Sequence, residues 1–196
     1  TTEINKQIQF AAQSKQMLEY IADKFQWTDA QATTTVNWRA LGIAKRRMKL
    51  YRSVRTTKML YSWLNVGTQK SKMGEDGICP CCGIEIEDQL HMYQCQDERV
   101  TQNLDAAIAS FQSKLVKDGL TTPTYTAIVN MVCQAAHRPP LSKYNIECEH
   151  TLQCIEAQNT LGTEAILRGF HHVDWLQLLK NTWVPPPEPP PGEKKI

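Results

Sequence analysis

Cys79, Cys82, His91 and Cys95, four residues of types that ligate soft metal ions, fall within 17 positions, with Cys81 among them. The pattern is C-x2-C, then eight residues, then H-x3-C. Gly83, directly after the second cysteine, suits a tight turn whose backbone N–H groups face the sulfurs. His91 and Cys95, four positions apart, share one face of a helix and can converge on one ion. Three thiolates and one imidazole, with no fifth ligand, describe a closed tetrahedral Zn²⁺ site, structural and not catalytic. Cys81 leaves the choice of sulfurs open, because a C-x-C pair or a shift to Cys81 in place of Cys79 or Cys82 is conceivable. The position of Gly83 favours Cys82. Packed cysteines beside a chance histidine are the competing reading, and the tight clustering of four ligand types weighs against it.

No other constellation of reactive residues has the spacing of a known catalytic device. There is no G-x-S-x-G, no phosphate-cradling glycine loop and no H-E-x-x-H, so the chain is expected to be non-catalytic by itself. Cys148, His150 and Cys154 invite a second metal reading. On a helix only His150 and Cys154 share a face, and no C-x2-C accompanies them, so buried or surface side chains are expected. His171 and His172 are expected at a loop or helix start. Cys133 falls on an apolar helical face and is expected in the core. Trp38, Trp63 and Trp175 also fall on apolar stripes, which predicts packing and not base stacking.

The second feature that could do chemistry is a run of charge. From Arg39 to Gly74 the chain carries ten lysines and arginines and no acidic residue, although the whole chain has a net charge of only +2. Leu41, Ile43, Met48, Leu50, Val54, Met59 and Leu60 keep helical spacing between them, which predicts one or two basic amphipathic helices ending at Asn65–Gly67. Uncompensated positive charge on a helix repels itself, so an anionic partner is expected. Lys45, Arg46, Arg47, Lys49, Arg52, Arg55 and Lys58 are the predicted phosphate contacts. An acidic surface elsewhere in a larger parent protein is the alternative source of compensation.

The elements that must position these groups read as mainly α. At 196 residues and 41% hydrophobic content the chain can bury one ordinary core. Residues 1–74 are expected to hold N-terminal helices with the basic segment, beginning with a stripe from Ile4 to Phe25. Thr28–Gln31 fits a capping box for a short second helix, and Asn37 a further N-cap. Residues 75–98 are the expected zinc module, a small inserted knuckle in which Ile84–Asp88 forms a strand or hairpin arm and Asp88 caps the helix of His91. Residues 99–183 are expected to add helices on the same core. One runs through Leu104, Ile108 and Leu115 to Gly119, and one opens with Thr122 as N-cap and Pro123 as its first residue. Residues 141–147 read as a loop, and further helices run from about Cys148 to Leu161, over Glu164–Gly169, and through Trp175. Residues 184–196 form a proline-rich tail with six prolines in Pro185–Pro191. Seven cysteines, mostly around one metal motif, suit a reducing, intracellular setting, nuclear or cytoplasmic. No apolar run is long enough to span a bilayer. A start at Thr1 without Met is what a fragment or processed product is expected to show.

The segment C-P-x-C-G, Glu87-Asp88, His91–Cys95 resembles the zinc-binding segment downstream of reverse transcriptase in non-LTR retrotransposon polyproteins. More of the chain resembles one branch, the reverse-transcriptase-like open reading frames of diatoms and other microbial eukaryotes. The landmarks are Phe25-Gln-Trp27, Val36-Asn-Trp38, the basic run, Ser62–Gly67, Gln158–Gly162, Arg168-Gly169 and Trp175. The resemblance implies a role in holding RNA or DNA for a polymerase, beside reverse transcriptase and ribonuclease-H-like parts that these residues do not contain. It also implies Cys79, Cys82, His91 and Cys95 as ligands, with a His-to-Cys spacing shorter by one than in plant-type relatives. Some relatives carry a restriction-like endonuclease after the zinc motif. That enzyme needs Pro-Asp and a downstream carboxylate with a lysine; after Cys95 there is Arg138-Pro-Pro but no Pro-Asp, and Asp174 has no lysine two residues on. A protein-interaction scaffold, with the proline-rich tail as an SH3- or WW-type ligand, is the reading from a different class.

Overall fold

The structure, a computed structural model, describes residues 15–140 and 148–182. The start of the first expected helix, the loop 141–147 and the proline-rich tail lie outside the described residues. The described chain is mainly helical: α1 (15–25), a π-helical turn at Gln31–Thr35, α2 (Trp38–Arg47), α3 (Leu50–Leu60), α4 (Gly67–Ser71), α5 (His91–Gln94), α6 (Glu98–Lys117), α7 (Thr122–Ala135), α8 (Glu149–Asn159), α9 (Ala165–Arg168) and α10 (Asp174–Thr182). Among the described residues, extended pairing is limited to two isolated antiparallel bridges, Val36 with His172 and Ile78 with Ile86.

Local signals account for most boundaries. Thr28 and Gln31 form the reciprocal capping box: Thr28 N donates to Gln31 Oε1 at 2.8 Å, and Gln31 N to Thr28 Oγ1 at 3.2 Å. Asn37 Oδ1 accepts from Ala40 N at 3.0 Å and starts α2. Asp97 Oδ1 accepts from the amides of Arg99 and Val100 and starts α6. Pro123 sits in the first turn of α7, where its missing N–H leaves no bond unmade, but the N-cap is Thr121 and not Thr122.

The basic run ends elsewhere than expected. It forms two helices, and α3 stops at Leu60 with Ser62 in the left-handed region at φ 52°. Ser62 N donates to Met59 O and Trp63 N to Lys58 O, which is a Schellman turn without glycine. The conformation costs roughly 1 kcal/mol, and Arg168 holds it by donating from Nη1 to Ser62 Oγ at 2.6 Å. Gly67, expected to end the basic helices, instead opens α4. Its Cα lies so close to the Gly77 backbone that an added Cβ would collide with Gly77 O.

Among the described residues, two large clusters and a smaller one form the interior. Ile21, Val36, Leu60, Leu161, Ala165 and Phe170 make the first, and Ala127, Met131, Ala135, Ile166 and Trp175 belong to the second. Neighbouring residues of α9 enter each, so the N-terminal and C-terminal helices share one interior. Phe170 is fully buried, with Phe25, Trp27 and Trp38 all edge-on to it at 5.1–5.8 Å. Gln158 bridges the chain beside it, donating to Phe170 O at 2.9 Å and accepting from His172 N at 2.8 Å. The landmarks Phe25, Trp27, Trp38, Gln158 and Arg168 are therefore parts of the framework.

Candidate metal centre and basic helical face

The residues from Gly77 to Cys95 form an irregular knuckle. The expected strand or hairpin arm is not there. Ile78 and Ile86 make a single bridge, backed by Cys79 N to Glu85 O at 2.7 Å and Glu87 N to Gly77 O at 2.9 Å. The alternation Ile84-Glu85-Ile86-Glu87 yields no buried face, and Glu85 is itself exposed. Ile84 and Ile86 are exposed, while Glu85 and Glu87 accept from groups of the knuckle and of α4. The motif is too short to bury two isoleucines, and its hydrogen-bond donors need carboxylates.

The turn around the cysteines does form. Gly83 N donates to Cys79 O at 2.8 Å, and Gly83 takes φ 65°, a conformation that a side chain would strain. Asp88 Oδ1 accepts from Leu90 N at 2.8 Å and His91 N at 2.6 Å, starting the single turn of α5. Cys95 N donates to His91 O at 2.7 Å and closes that turn, so the residues four apart end side by side.

As a result Cys79, Cys82, His91 and Cys95 bring their ligand atoms within 4.8 Å of one another. Cys79 Sγ and Cys95 Sγ are 3.9 Å apart, and Cys82 Sγ is 3.4 Å from His91 Nε2. Cys79, His91 and Cys95 are buried. Cys81 is exposed and outside the group. The four could hold a metal ion. Glu85, which the sequence reading did not single out as part of the site, accepts at 2.9 Å from His91 Nδ1 and so leaves Nε2 to face the sulfurs.

The ligand residues shift one another's titration. The amides of Glu85 and Ile84, then the His91 ring, hold the Cys82 thiol at about 6. Burial, with the neighbouring sulfurs, pushes Cys95 up to about 11 despite the Asp97 amide. Burial draws the His91 pKa down, but hydrogen bonds to Cys79 and Cys82 outweigh it and raise it. A bound cation would stabilise all the thiolates together.

The knuckle is fastened on several sides. Gln89 Nε2 donates to Met59 O at 2.5 Å, Gln94 Nε2 to Ala135 O at 2.9 Å, and Thr68 N to Glu87 O at 2.9 Å. Leu90 and Tyr93 pack on the core cluster that α7, α9 and α10 share.

The basic residues lie otherwise. Arg46, Arg47, Lys49, Arg52, Arg55 and Lys58 are exposed and Lys45 is half-buried. Among the described residues none of the seven has a carboxylate within ion-pair distance. Arg52 instead donates to Tyr51 Oη at 3.0 Å. Arg47, Arg39 and Lys180 line a cavity of about 460 Å³ between α2 and α10, floored by Ile43 and Leu176.

Of the tryptophans expected to pack, Trp38 and Trp175 do, but Trp63 is 54% exposed because the turn after α3 carries it out of the apolar stripe. Cys133 is buried as expected. Cys148, His150 and Cys154 line a cavity of about 280 Å³ with Asp174, and do not converge as ligands. His172 sits at a helix start, its Nδ1 accepting from Asp174 N.

No protein-family model, no curated protein and no solved structure matches the chain.

Proposed function

We propose that the chain is a zinc-stabilised module that binds RNA or DNA and has no catalysis of its own. The observation that carries the reading is the set of seven cations on α2, α3 and the junction between them, six of them exposed and none with an anionic partner among the described residues. Such a face gives affinity for phosphates without sequence choice. Arg39 and Lys180 extend the positive surface toward α10. The resemblance to the segment after reverse transcriptase in retrotransposon polyproteins is what selects nucleic acid among polyanions, with polymerase and ribonuclease-H-like parts as neighbours.

Two edges of the ligand set match those of a zinc tetrahedron, and all four ligand atoms lie within 4.8 Å of one another, so the wider edges would draw in around an ion. Bonds of about 2.3 Å to sulfur and about 2.0–2.1 Å to nitrogen, at tetrahedral angles, require edges of about 3.8 Å and 3.6 Å. The corresponding separations here are 3.9 Å between Cys79 and Cys95 and 3.4 Å between Cys82 and His91. Four protein ligands leave no open position for substrate, so the ion supplies folding energy and not chemistry. Through Gln89 and Gln94 the folded knuckle ties the end of α3 to α7.

The test is binding of the zinc-loaded chain to a fluorescent single strand and a duplex across a salt series. The observed constant should fall by about 0.9 log units per log of salt for each phosphate contact on duplex, or about 0.7 on a single strand. Absence of binding at low salt overturns the proposal.

One observation favours a second reading, a scaffold for an acidic protein partner. Leu50, Tyr51 and Val54 are 81%, 63% and 48% exposed on the same helix as the cations. Phosphates alone would not require them.

A further inference from the structure

Three rings cluster where α1 meets the turn after α3. Tyr61 and Trp63 stack with centroids 4.9 Å apart, and Tyr20 lies 6.0 Å and 6.1 Å from them. Trp63 is 54% exposed and Tyr20 39%, so the cluster shows ring surface to solvent. We propose that this cluster is a stacking platform for the bases of a single-stranded nucleic acid whose phosphates run along the cations of α3. The proposal rests on the nucleic-acid reading and adds to it the strandedness of the ligand and the residues that select it.

Several features distinguish this cluster from a stray surface tryptophan. Trp63 Nε1 donates to Tyr20 Oη at 3.2 Å, and Lys24 Nζ donates to the same oxygen at 3.1 Å. With its N–H engaged and one face on Tyr61, the indole has its remaining π surface to offer a ligand. Its orientation is also fixed before binding, by the left-handed Ser62 and the Arg168 bond that holds it. A rigid aromatic face loses little entropy on stacking, and every base has a π face to match it.

The surrounding charge fits a polyanion. Lys24 sits 5.4 Å from the Tyr20 ring centre, and Lys58, whose carbonyl accepts from Trp63 N, is exposed. Partial burial would raise the Tyr20 pKa, but the bonds from Lys24 and Trp63 and the charges of Lys24 and Lys72 hold it below the ordinary tyrosine value. On the α1 side Glu19 is paired with Lys15, which leaves Asp23 as the nearby carboxylate opposing the lysines. In a duplex the base faces are stacked on each other, so the platform has work only when strands are apart.

The experiment compares the zinc-loaded full chain with Trp63→Ala and Trp63→Phe, using fluorescein-labelled single-stranded and duplex oligonucleotides in a salt series. Trp63→Ala should weaken single-strand binding by about 5- to 150-fold, as expected for loss of one stacked base. Its salt slope should be unchanged, and duplex affinity should stay within about twofold. Trp63→Phe keeps a π face, so it should retain most of the affinity while losing indole quenching on binding, which also guards against misfolding of the alanine variant. Single-strand affinity of Trp63→Ala within twofold of the parent overturns the platform and leaves the cation-based reading standing. No nucleic-acid binding by the parent chain overturns both.

Discussion

The knuckle and the α2–α3 pair are neighbours in sequence and opposites in how they are held. The knuckle has one turn of helix and one bridge, yet side chains and backbone fasten it to α3, α4 and α7, and three of its four ligand residues are buried. The helices α2 and α3 are regular and amphipathic, yet α2 buries no residue and α3 only Leu60. Regular secondary structure therefore does not measure integration into a fold. Specific bonds and, on this reading, a metal hold the irregular segment. The regular one is held by few contacts and keeps a charged face that folding does not use.

The sharpest way to break this contrast is to remove the metal. Structural zinc contributes apparent free energies of roughly 10–16 kcal/mol in small zinc-finger peptides, so its loss should exceed any single packing change. With a chelator, or in Cys82→Ser, residues 75–96 should lose hydrogen-exchange protection, read at the amides of Cys79, Gly83 and Glu87. The heavily buried α7 should keep its protection. A Cys82→Ser chain that retains stoichiometric zinc refutes the ligand set.

On the other side of the contrast, changing Arg46, Arg47 and Lys49 to glutamate should leave helicity intact, because all three are exposed. Duplex affinity should fall by roughly a hundredfold at low salt, and the salt slope by about 2 to 3 if each contacts a phosphate. Circular dichroism and titration together check it. Lost helicity would mean that these side chains support the fold, and an unchanged slope that phosphates bind elsewhere.

What could be read from the sequence divides along the same line. Spacing suffices for a ligand set when the ligands are close in the chain, and Cys79, Cys82, His91 and Cys95 span 17 residues. Caps at Thr28, Asn37 and Asp88 were legible for the same reason, being local bonds. The bond of the exposed Glu85 to His91 was not, because the alternation of isoleucine and glutamate carries no sign of which carboxylate orients the imidazole. Nor was the end of α3, since its Schellman turn uses Ser62 where glycine is usual, and the supporting Arg168 is 106 residues away. The exposure of Trp63 follows from that turn and was missed with it.

Glu85 sharpens the comparison from within the knuckle. It is exposed, so Glu85→Gln should leave the fold in place while weakening its bond to His91 Nδ1. Metal affinity should fall by about tenfold to a hundredfold, as for other outer-shell partners of metal-bound histidine. A competition titration against a chromophoric chelator reads this directly. Unchanged affinity would mean that the turn geometry alone orients the imidazole.

The smallest expected effect tests whether the α3 surface is free. Leu50 is 81% and Val54 48% exposed, so little apolar area leaves water when they are kept. Leu50→Ser with Val54→Thr should therefore shift stability by no more than about 0.5 kcal/mol. Serine is tolerated in a first helical turn, and threonine has nearly the helix propensity of valine. If the cations alone bind the ligand, nucleic-acid affinity should stay within about twofold. A destabilisation above about 1 kcal/mol that grows with protein concentration would mean that a second copy covers these residues. The α2–α3 face would then be fastened after all, across an interface and not within the chain.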